Sequence, residues 1–295
     1  MNSSNMQDKL STEYTDRFSG VGRIYGEAGL LRFASAHACV VGIGGVGAWC
    51  AEALARSGIG ELTLIDLDEV CVTNVNRQIH ALSSTVGQPK VEVMAQRVLD
   101  INPQIIVHTV QRFFTEKSEG DLLDSPHPTK PRFDVLIDAI DHSGRKSLLI
   151  EACKKRNIPI VTCGAAGGRR SPWLITCGDL RNSSHDGLLR RIKQDLKKKP
   201  LFMENENVDS TSIPLKKKNK GRLPCWNVPA VFSTERPYYP TSDGDVCHTP
   251  PTRERLRMDC NSGFGSLSFV TATFGFIAVS IALNLVLGEP PYGSK

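Results

Sequence analysis

The sequence predicts an α/β fold: a Rossmann-like, doubly wound and mostly parallel sheet with a C-terminal extension and a basic insert. Short apolar stretches alternate with helix-like stretches between residues 38 and 163, which is typical of parallel strands joined by right-handed helical crossovers. Glycines or aspartates directly follow several of the apolar stretches. In a parallel sheet these positions meet at the carboxyl edge, where ligands bind.

Each predicted element is based on its own local pattern. Residues 38–43 are apolar and end in glycine, and residues 46–57 carry small and apolar residues at helical spacing. The other predicted elements are strands at 61–65, 105–110, 134–138 and 158–163 and helices at 90–100 and 145–156. Residues 223–262 are rich in Pro, Cys and polar residues, and we expect ordered loops there.

Composition excludes several classes of protein. The nine cysteines are scattered and form no C-x-x-C pair, which argues against a disulfide framework and a thiolate zinc site and favours a reducing compartment. We therefore expect no zinc. The N-terminus lacks the apolar region of a signal peptide. Residues 269–287 are apolar and uncharged; a buried core helix is the favoured interpretation, and a membrane span or anchor is the alternative.

The segment Gly42-Ile43-Gly44-Gly45-Val46-Gly47 fits the pattern G-x-G-x-x-G between a predicted strand and a predicted helix. Backbone N–H groups at such a helix start bind phosphate. Asp66, at the end of the next strand, suits a ribose hydroxyl. These features alone would favour a dinucleotide site, and a tight packing turn is the alternative without function.

The loop after Asp66 favours ATP over NAD. It reads DLDEVCVTNVNRQIH and is followed by GQPK and a helix, so Asn74, Arg77, Gln78 and Lys90 are concentrated after the aspartate. Arginine and lysine stabilise charge on phosphates and on a departing pyrophosphate. The alternative is a solvated turn with ordinary surface charges.

Asp138 and Asp141 end an apolar strand, where a carboxylate could hold the Mg²⁺ that accompanies ATP. Asp141 lies further past the strand and is the better ligand. For Asp138, a hydrogen bond at the strand end is an equally good interpretation.

The glycine loop, D-x-D (Asp66 and Asp68), N-x-N-R-Q, the following lysine and D-A-I-D resemble, in this order, the ubiquitin-activating-like superfamily of ThiF, MoeB and HesA. The resemblance implies adenylation of a carboxylate with ATP and Mg²⁺, usually in a homodimer. It assigns ribose binding to Asp66, phosphate binding to Asn74, Arg77 and Lys90, the site wall to Gln78 and the metal to Asp141. Arg23 matches an arginine that reaches the partner's ATP.

A narrower resemblance covers nearly the whole chain. The segments RFSGVGRIYGEAGL, VCVTNVNRQIHAL, VFSTE, RMDCNSGFG and FVTATFGF are similar to those of the tRNA threonylcarbamoyladenosine dehydratases. This family cyclises a modified adenosine beside the anticodon by activating its threonyl carboxylate. Activation of the C-terminus of a ubiquitin-like or sulfur-carrier protein is the alternative, but its enzymes commonly carry C-x-x-C pairs that are missing here. A nucleotide-binding module without this activity is a third hypothesis.

The resemblance also bears on organisation and partners. It predicts one adenylating domain over residues 1–295, with a nucleotide-binding part at 1–180, the basic insert at 181–222 and a part completing the fold at 223–295. Bacterial relatives are cytoplasmic, and some recruit a sulfur-relay protein, whereas fungal relatives associate with the mitochondrial outer membrane. The cytoplasm is the expected location, with that membrane as the alternative.

Cys260, in RMDCNSGFG, has the best functional claim among the cysteines because it lies between a basic segment and glycines. A thiolate there could form a transient thioester. A structural role as a small residue beside the final helix is equally consistent with the sequence.

The basic insert contains twelve Lys or Arg against five Asp or Glu, with lysine runs at 197–199 and 216–218. We expect a basic helix followed by a mobile loop. Lys197, Lys198, Lys199, Lys216, Lys217 and Lys218 would neutralise tRNA phosphates and give the affinity a salt dependence; a merely solvated charge run is the alternative. Trp226 or Phe232 could stack on bases, although such aromatics more often pack within the protein.

Overall fold

The computed structural model describes residues 10–127, 129–203, 225–241, 243–250 and 264–292. Its helices are α1 (Thr12–Ala34), α2 (Gly47–Arg56), α3 (Lys90–Ile101), α4 (Glu119–Leu123), α5 (Ser143–Lys155), α6 (Gly187–Leu196) and α7 (Ser268–Val286). Its strands are β1 (His37–Val41), β2 (Glu61–Ile65), β3 (Ile106–Val110), β4 (Val135–Asp138), β5 (Ile160–Cys163), β6 (Ile175–Asp179), β7 (Pro229–Ser233), β8 (Tyr239–Pro240) and β9 (Val246–Cys247). Every strand and helix predicted from the sequence is confirmed to within about three residues.

The main sheet has seven strands in the order β3-β2-β1-β4-β5-β7-β6. All neighbours are parallel except β6 and β7, which pair antiparallel. The strand order reverses between β1 and β4, so the loops after these two strands open a crevice at the carboxyl edge. The sheet therefore confirms the predicted doubly wound fold and places the glycine loop at its switch point.

Side chains of each inner strand alternate between two apolar layers. In β1, Ala38 and Val40 belong to the core with α2, α3 and α7, whereas Cys39 and Val41 belong to the core with α5 and α6. Such alternation follows from the two-residue repeat of a strand. The sheet is thus covered by helices on both faces.

Helix α7 packs on α2 and across β4, β5 and β7. It is long and apolar enough to cross a membrane, but 61% of its most apolar window is buried inside the protein. A helix that is apolar all round is expected to be buried in a core. The predicted core helix is the interpretation that this packing favours.

The expectation of loops throughout residues 223–262 was wrong at β7. Pro229–Ser233 is buried at every residue and lies between β5 and β6 in the sheet. A strand buried on both faces shows no alternation of polar and apolar residues, and this one begins with proline. Both properties concealed it in the sequence.

Candidate nucleotide site

The loop Gly42–Gly47 turns sharply from β1 into α2. Gly42 has a φ of +91°, and its N–H donates to the Ile65 carbonyl at 2.8 Å. A Cβ on Gly47 would lie 1.8 Å from the Gly42 carbonyl oxygen, whereas one on Gly44 would meet no atom closer than 4.0 Å. Glycine is thus required at both ends of the turn by conformation and close packing, and the middle has room for a ligand at the start of α2.

Asp66 joins the glycine loop to the acidic loop after β2. Its carboxylate accepts the Ile43 N–H at 2.6 Å and the Asp68 N–H at 2.9 Å. Burial raises the pKa of Asp66, and the Lys90 ammonium and the two N–H donors counter this effect. The carboxylate is therefore held in place at the edge where a ribose would lie.

Lys90 begins α3 and points back toward the acidic loop. Its side chain is 7% exposed, and its Nζ contacts the Asp68 carboxylate at 2.9 Å. Asp68 is 53% exposed, so the pair lies at the surface of the site. A polyphosphate could compete with Asp68 for the ammonium because both are anions.

The segment Asn74–Gln78 forms the wall beside the glycine loop. Asn74 is buried and caps its own turn, accepting the Cys71 N–H at 3.1 Å. Arg77 is half-buried, and its guanidinium donates to the Thr73 carbonyl at 2.7 Å. The amide oxygen of Gln78 is buried and accepts no hydrogen bond from the described residues. The amide nitrogen of the same side chain would lie 4.0 Å from a Cβ on Gly44, so Gln78 borders the glycine loop and keeps an acceptor for a donor on a ligand.

The two aspartates after β4 differ in environment. Asp138 is fully buried, and its carboxylate contacts Lys146 Nζ and Thr162 Oγ1, each at 2.7 Å. Burial raises the pKa of Asp138, and Lys146 counters the shift. Asp141 is exposed at the mouth of the crevice. The strand-end interpretation thus holds for Asp138, and Asp141 is the carboxylate accessible to a metal ion.

A second glycine loop follows β5 and is tied down from two sides. Asp186 accepts the Ala165 N–H at 2.8 Å, and a Cβ on Gly164 would lie 2.2 Å from this carboxylate. Glu235, the glutamate of VFSTE, accepts the N–H groups of Arg170 and Ser171 at 3.1 and 3.0 Å. The loop is consequently fixed at the carboxyl edge next to the strand that carries Asp138.

Residues of the C-terminal segment 265–271 form hydrogen bonds with the segment Asn74–Gln78 and with the glycine loop after β5. Asn76 donates to the Ser266 carbonyl at 2.7 Å, and Thr271 donates to the Arg77 carbonyl at 3.2 Å. Gly168 donates its N–H to the Gly265 carbonyl at 2.7 Å. Cys260 lies outside the described residues, so its predicted role is not tested.

The other predicted residues within the described ranges are exposed or are engaged by another partner. Arg23 is exposed on α1, near the kink at Gly26. Lys197 and Lys198 are exposed after α6, whereas Lys199 forms an ion pair with Glu151. Lys216, Lys217 and Lys218 lie outside the described residues.

The two aromatics suggested for base stacking are core residues. Trp226 is 7% exposed and Phe232 is 6% exposed, and both belong to the apolar layer with α5 and α6. Trp226 packs edge-on against Phe202, which belongs to the same layer. The alternative that they pack within the protein is therefore correct.

Sequence reasoning missed three charged residues that shape the site: Lys146, Arg169 and Glu235. Arg169 is 3% exposed, and two of its guanidinium nitrogens have no partner among the described residues. A lysine within the apolar side of a predicted helix was a detectable signal for Lys146. Nothing local marked Arg169, and Glu235 stood in the family-like segment VFSTE without an assigned role, because the partners of both residues are distant in sequence.

The described residues fit ATP and its metal ion. An open glycine loop at a helix start, a lysine and an arginine beside it and an unpartnered amide oxygen suit a nucleotide triphosphate. Asp141 is an exposed oxygen ligand of the kind that Mg²⁺ prefers. The arrangement can hold phosphates and stabilise a departing pyrophosphate.

Comparison with known proteins gives consistent matches over nearly the whole length of the chain. The model of the ThiF family matches residues 17–294. The tRNA threonylcarbamoyladenosine dehydratase of Escherichia coli is 46% identical over 281 residues, covering 95% of this chain and 97% of the relative. The dehydratase of Haemophilus influenzae is 42% identical over 93% of this chain and 94% of its own.

Solved structures of the Escherichia coli dehydratase are also similar to this chain. The crystal structure of the Escherichia coli dehydratase in complex with ATP has a TM-score of 0.74 and 41% sequence identity, covering 95% of this chain and 97% of that chain. The complex of the same enzyme with AMP has a TM-score of 0.75 over the same shares of the two chains.

Proposed function

The chain belongs to the ThiF family, and from this premise we propose that it is an ATP-dependent dehydratase that cyclises threonylcarbamoyladenosine in tRNA. The observation that carries the proposal is the similarity to dehydratases over nearly the full length of both chains. A molybdopterin-synthase adenylyltransferase of Haemophilus influenzae matches only 43% of this chain. That difference favours the tRNA substrate over a protein substrate.

The oxygen of the threonyl carboxylate is a poor leaving group, so the carboxylate must first be activated. An oxygen of the threonyl carboxylate attacks the α-phosphorus of ATP, and the bond to pyrophosphate breaks. A nucleophile of the threonylcarbamoyl group then attacks the activated carbonyl carbon, and AMP leaves with the carboxylate oxygen. Because the nucleophile and carbonyl belong to one nucleotide, ring closure is effectively unimolecular. The net reaction is a dehydration driven by ATP.

We assign the phosphates to the loop Gly42, Gly44, Gly45 and Gly47 with Asn74, Arg77 and Lys90. Lys90 contacts Asp68 at 2.9 Å, and in this assignment the ammonium turns from Asp68 to the phosphates. Arg77 and Lys90 then offset the negative charge that develops on pyrophosphate. Asp66 binds the ribose, and Gln78 presents its unpartnered amide oxygen to the nucleotide.

Mg²⁺ would neutralise phosphate charge and orient the triphosphate, and Asp141 is the residue assigned to hold it. Arg23 is exposed on α1 and is assigned to the ATP of a second protomer in a homodimer. Lys197 and Lys198, with the lysines at 216–218, are assigned to tRNA phosphates. Cys260 is assigned no required step. The cytoplasm is the proposed location.

The test is conversion of the modified nucleoside. Purified protein is incubated with tRNA carrying threonylcarbamoyladenosine, ATP and Mg²⁺, and the digested nucleosides are analysed by mass spectrometry. We expect the cyclic product, lighter by one water, only when ATP is present. Unchanged nucleoside in the full reaction would contradict the proposal. ATP–pyrophosphate exchange that depends on an added carrier protein and not on tRNA would instead support the alternative.

A further inference from the structure

Three side chains with metal-ligating atoms meet at the amino edge of the sheet, opposite the nucleotide site. His37, Glu61 and His108 lie on the adjacent strands β1, β2 and β3. His37 pairs in register with Glu61, and Glu61 pairs with Ile106, two residues before His108. Because residues two apart on a strand share a face, the pleat directs all three side chains to the same side of the sheet.

The distances among the three side chains suit a metal ion. Glu61 Oε1 lies 3.5 Å from His37 Nδ1 and 2.8 Å from His108 Nε2. All three ligand atoms lie within 4.8 Å of one another. On a tetrahedral zinc ion with bonds of about 2.0–2.1 Å, ligand atoms are about 3.3 Å apart. Small rotations of the side chains would therefore bring the three atoms onto one ion.

The buried residue Thr63 orients His37 for this role. His37 Nε2 lies 2.8 Å from Thr63 Oγ1. A proton on Nε2 that is donated to the hydroxyl leaves the lone pair of Nδ1 facing Glu61. A hydrogen bond to the second ring nitrogen is the usual support of a metal-binding histidine.

Charge and burial around the group favour a neutral imidazole at His37. Burial lowers the pKa of His37, and Arg132 and His108 act in the same direction, whereas Glu61 and Asp134 oppose them. Asp134 also accepts the His37 N–H at 2.8 Å and pairs with Arg32. A neutral histidine is the form that ligates a metal ion.

We propose that His37 Nδ1, Glu61 and His108 Nε2 form a binding site for a divalent transition-metal ion of the Zn²⁺ class. Two imidazoles and one carboxylate select Zn²⁺, Ni²⁺ or Co²⁺ over Mg²⁺. His108 is 49% exposed and Glu61 35% exposed, so a fourth position is open to water. The ion ties three strands together at the edge remote from the catalytic crevice. This proposal departs from the expectation of no zinc, which was argued from the cysteines alone.

The test is equilibrium dialysis of metal-free, full-length protein against Zn²⁺ alone. We expect the wild-type protein to bind one more ion than His108→Ala and Glu61→Gln, which replace partly exposed side chains. Thr63→Val should bind the ion about 10–100-fold more weakly, because it removes the hydrogen bond that orients His37. Thermal unfolding without metal shows that each variant is folded.

The matched control is His127→Ala, which removes an exposed histidine elsewhere and should bind like the wild type. Ions held by thiols cancel in the comparison because all the proteins contain the same cysteines. Equal Zn²⁺ binding by the wild type and His108→Ala would overturn the proposal, as would competition by Mg²⁺ at equal concentration. Neither outcome bears on the dehydratase activity.

Discussion

Replacing Lys90 with methionine removes the ammonium from the assigned phosphate site and retains most of the side-chain volume. Lys90 is buried to 7% exposure and contacts Asp68, which is 53% exposed. In the variant, water can solvate the Asp68 carboxylate. We therefore expect a loss of about 0–1 kcal/mol in the free energy of unfolding, as for an ion pair whose carboxylate stays in contact with water at the surface.

The effect on catalysis should be larger than the effect on stability. A hydrogen bond to a charged group contributes about 1.5–3 kcal/mol, which corresponds to about 10–150-fold in kcat/KM. Because Lys90 also lowers the pKa of Asp66, its removal raises that pKa. As the pH is lowered, Asp66 of the variant should therefore be protonated at a higher pH than Asp66 of the wild type. The activity of the variant should accordingly be lost at a higher pH.

The assay is initial-rate AMP formation with saturating modified tRNA and varied ATP, together with urea unfolding of the same preparations. Lys117→Met is the matched control, because Lys117 is exposed and remote in sequence from the site. A Lys90→Met enzyme with kcat/KM within about twofold of the control would refute the phosphate assignment. A stability loss large enough to account for the lost activity would refute it as well.

Three further predictions concern charge elsewhere in the protein. Lys146→Met leaves the fully buried Asp138 without its cation, and urea unfolding should show a loss of about 3–5 kcal/mol; a loss below about 1 kcal/mol would contradict the pairing. Replacing Lys197 and Lys198 with glutamine should reduce the slope of tRNA affinity against salt by about 0.7–0.9 per lost phosphate contact; an unchanged slope would remove these lysines from the interface. Burial lowers the pKa of His80 from 6.5 to about 4. Between these two pH values His80 is protonated in the unfolded chain but not in the folded protein. The free energy of unfolding should therefore decrease by up to about 3 kcal/mol as the pH falls through this range. His80→Gln should flatten that pH dependence, and an equal decline in the variant would assign it to other groups.

Local sequence patterns were sufficient to predict the parallel strands of the sheet and the helices between them. The apolar stretch before Gly42 is a strand, and the left-handed conformation of Gly42 ends it. The apolar stretch before Asp66 is also a strand, and Asp66 follows it and accepts the Ile43 N–H. Each such pattern depends on neighbours within a few residues. The positions of the glycine loop and Asp66 were therefore predictable, as was their meeting at one edge of the sheet.

Interactions between distant residues were not predictable in the same way. The antiparallel strands β6 and β7 are separated in the sequence by residues 180–228. No pattern within a short stretch of sequence predicts that these two strands pair. Lys199 was grouped with the lysines for tRNA because its sequence neighbours are basic, yet Glu151, far along the chain, is its partner. Trp226 and Phe232 were open to either role because burial depends on the whole core.

The central claim, adenylation of a tRNA-borne carboxylate, is tested most directly by an oxygen label. Modified tRNA is prepared with ¹⁸O in both oxygens of the threonyl carboxylate, and the products are analysed by mass spectrometry after one turnover. Attack on the α-phosphorus predicts AMP carrying one ¹⁸O and unlabelled pyrophosphate. Unlabelled AMP, or ADP with labelled inorganic phosphate, would contradict the account.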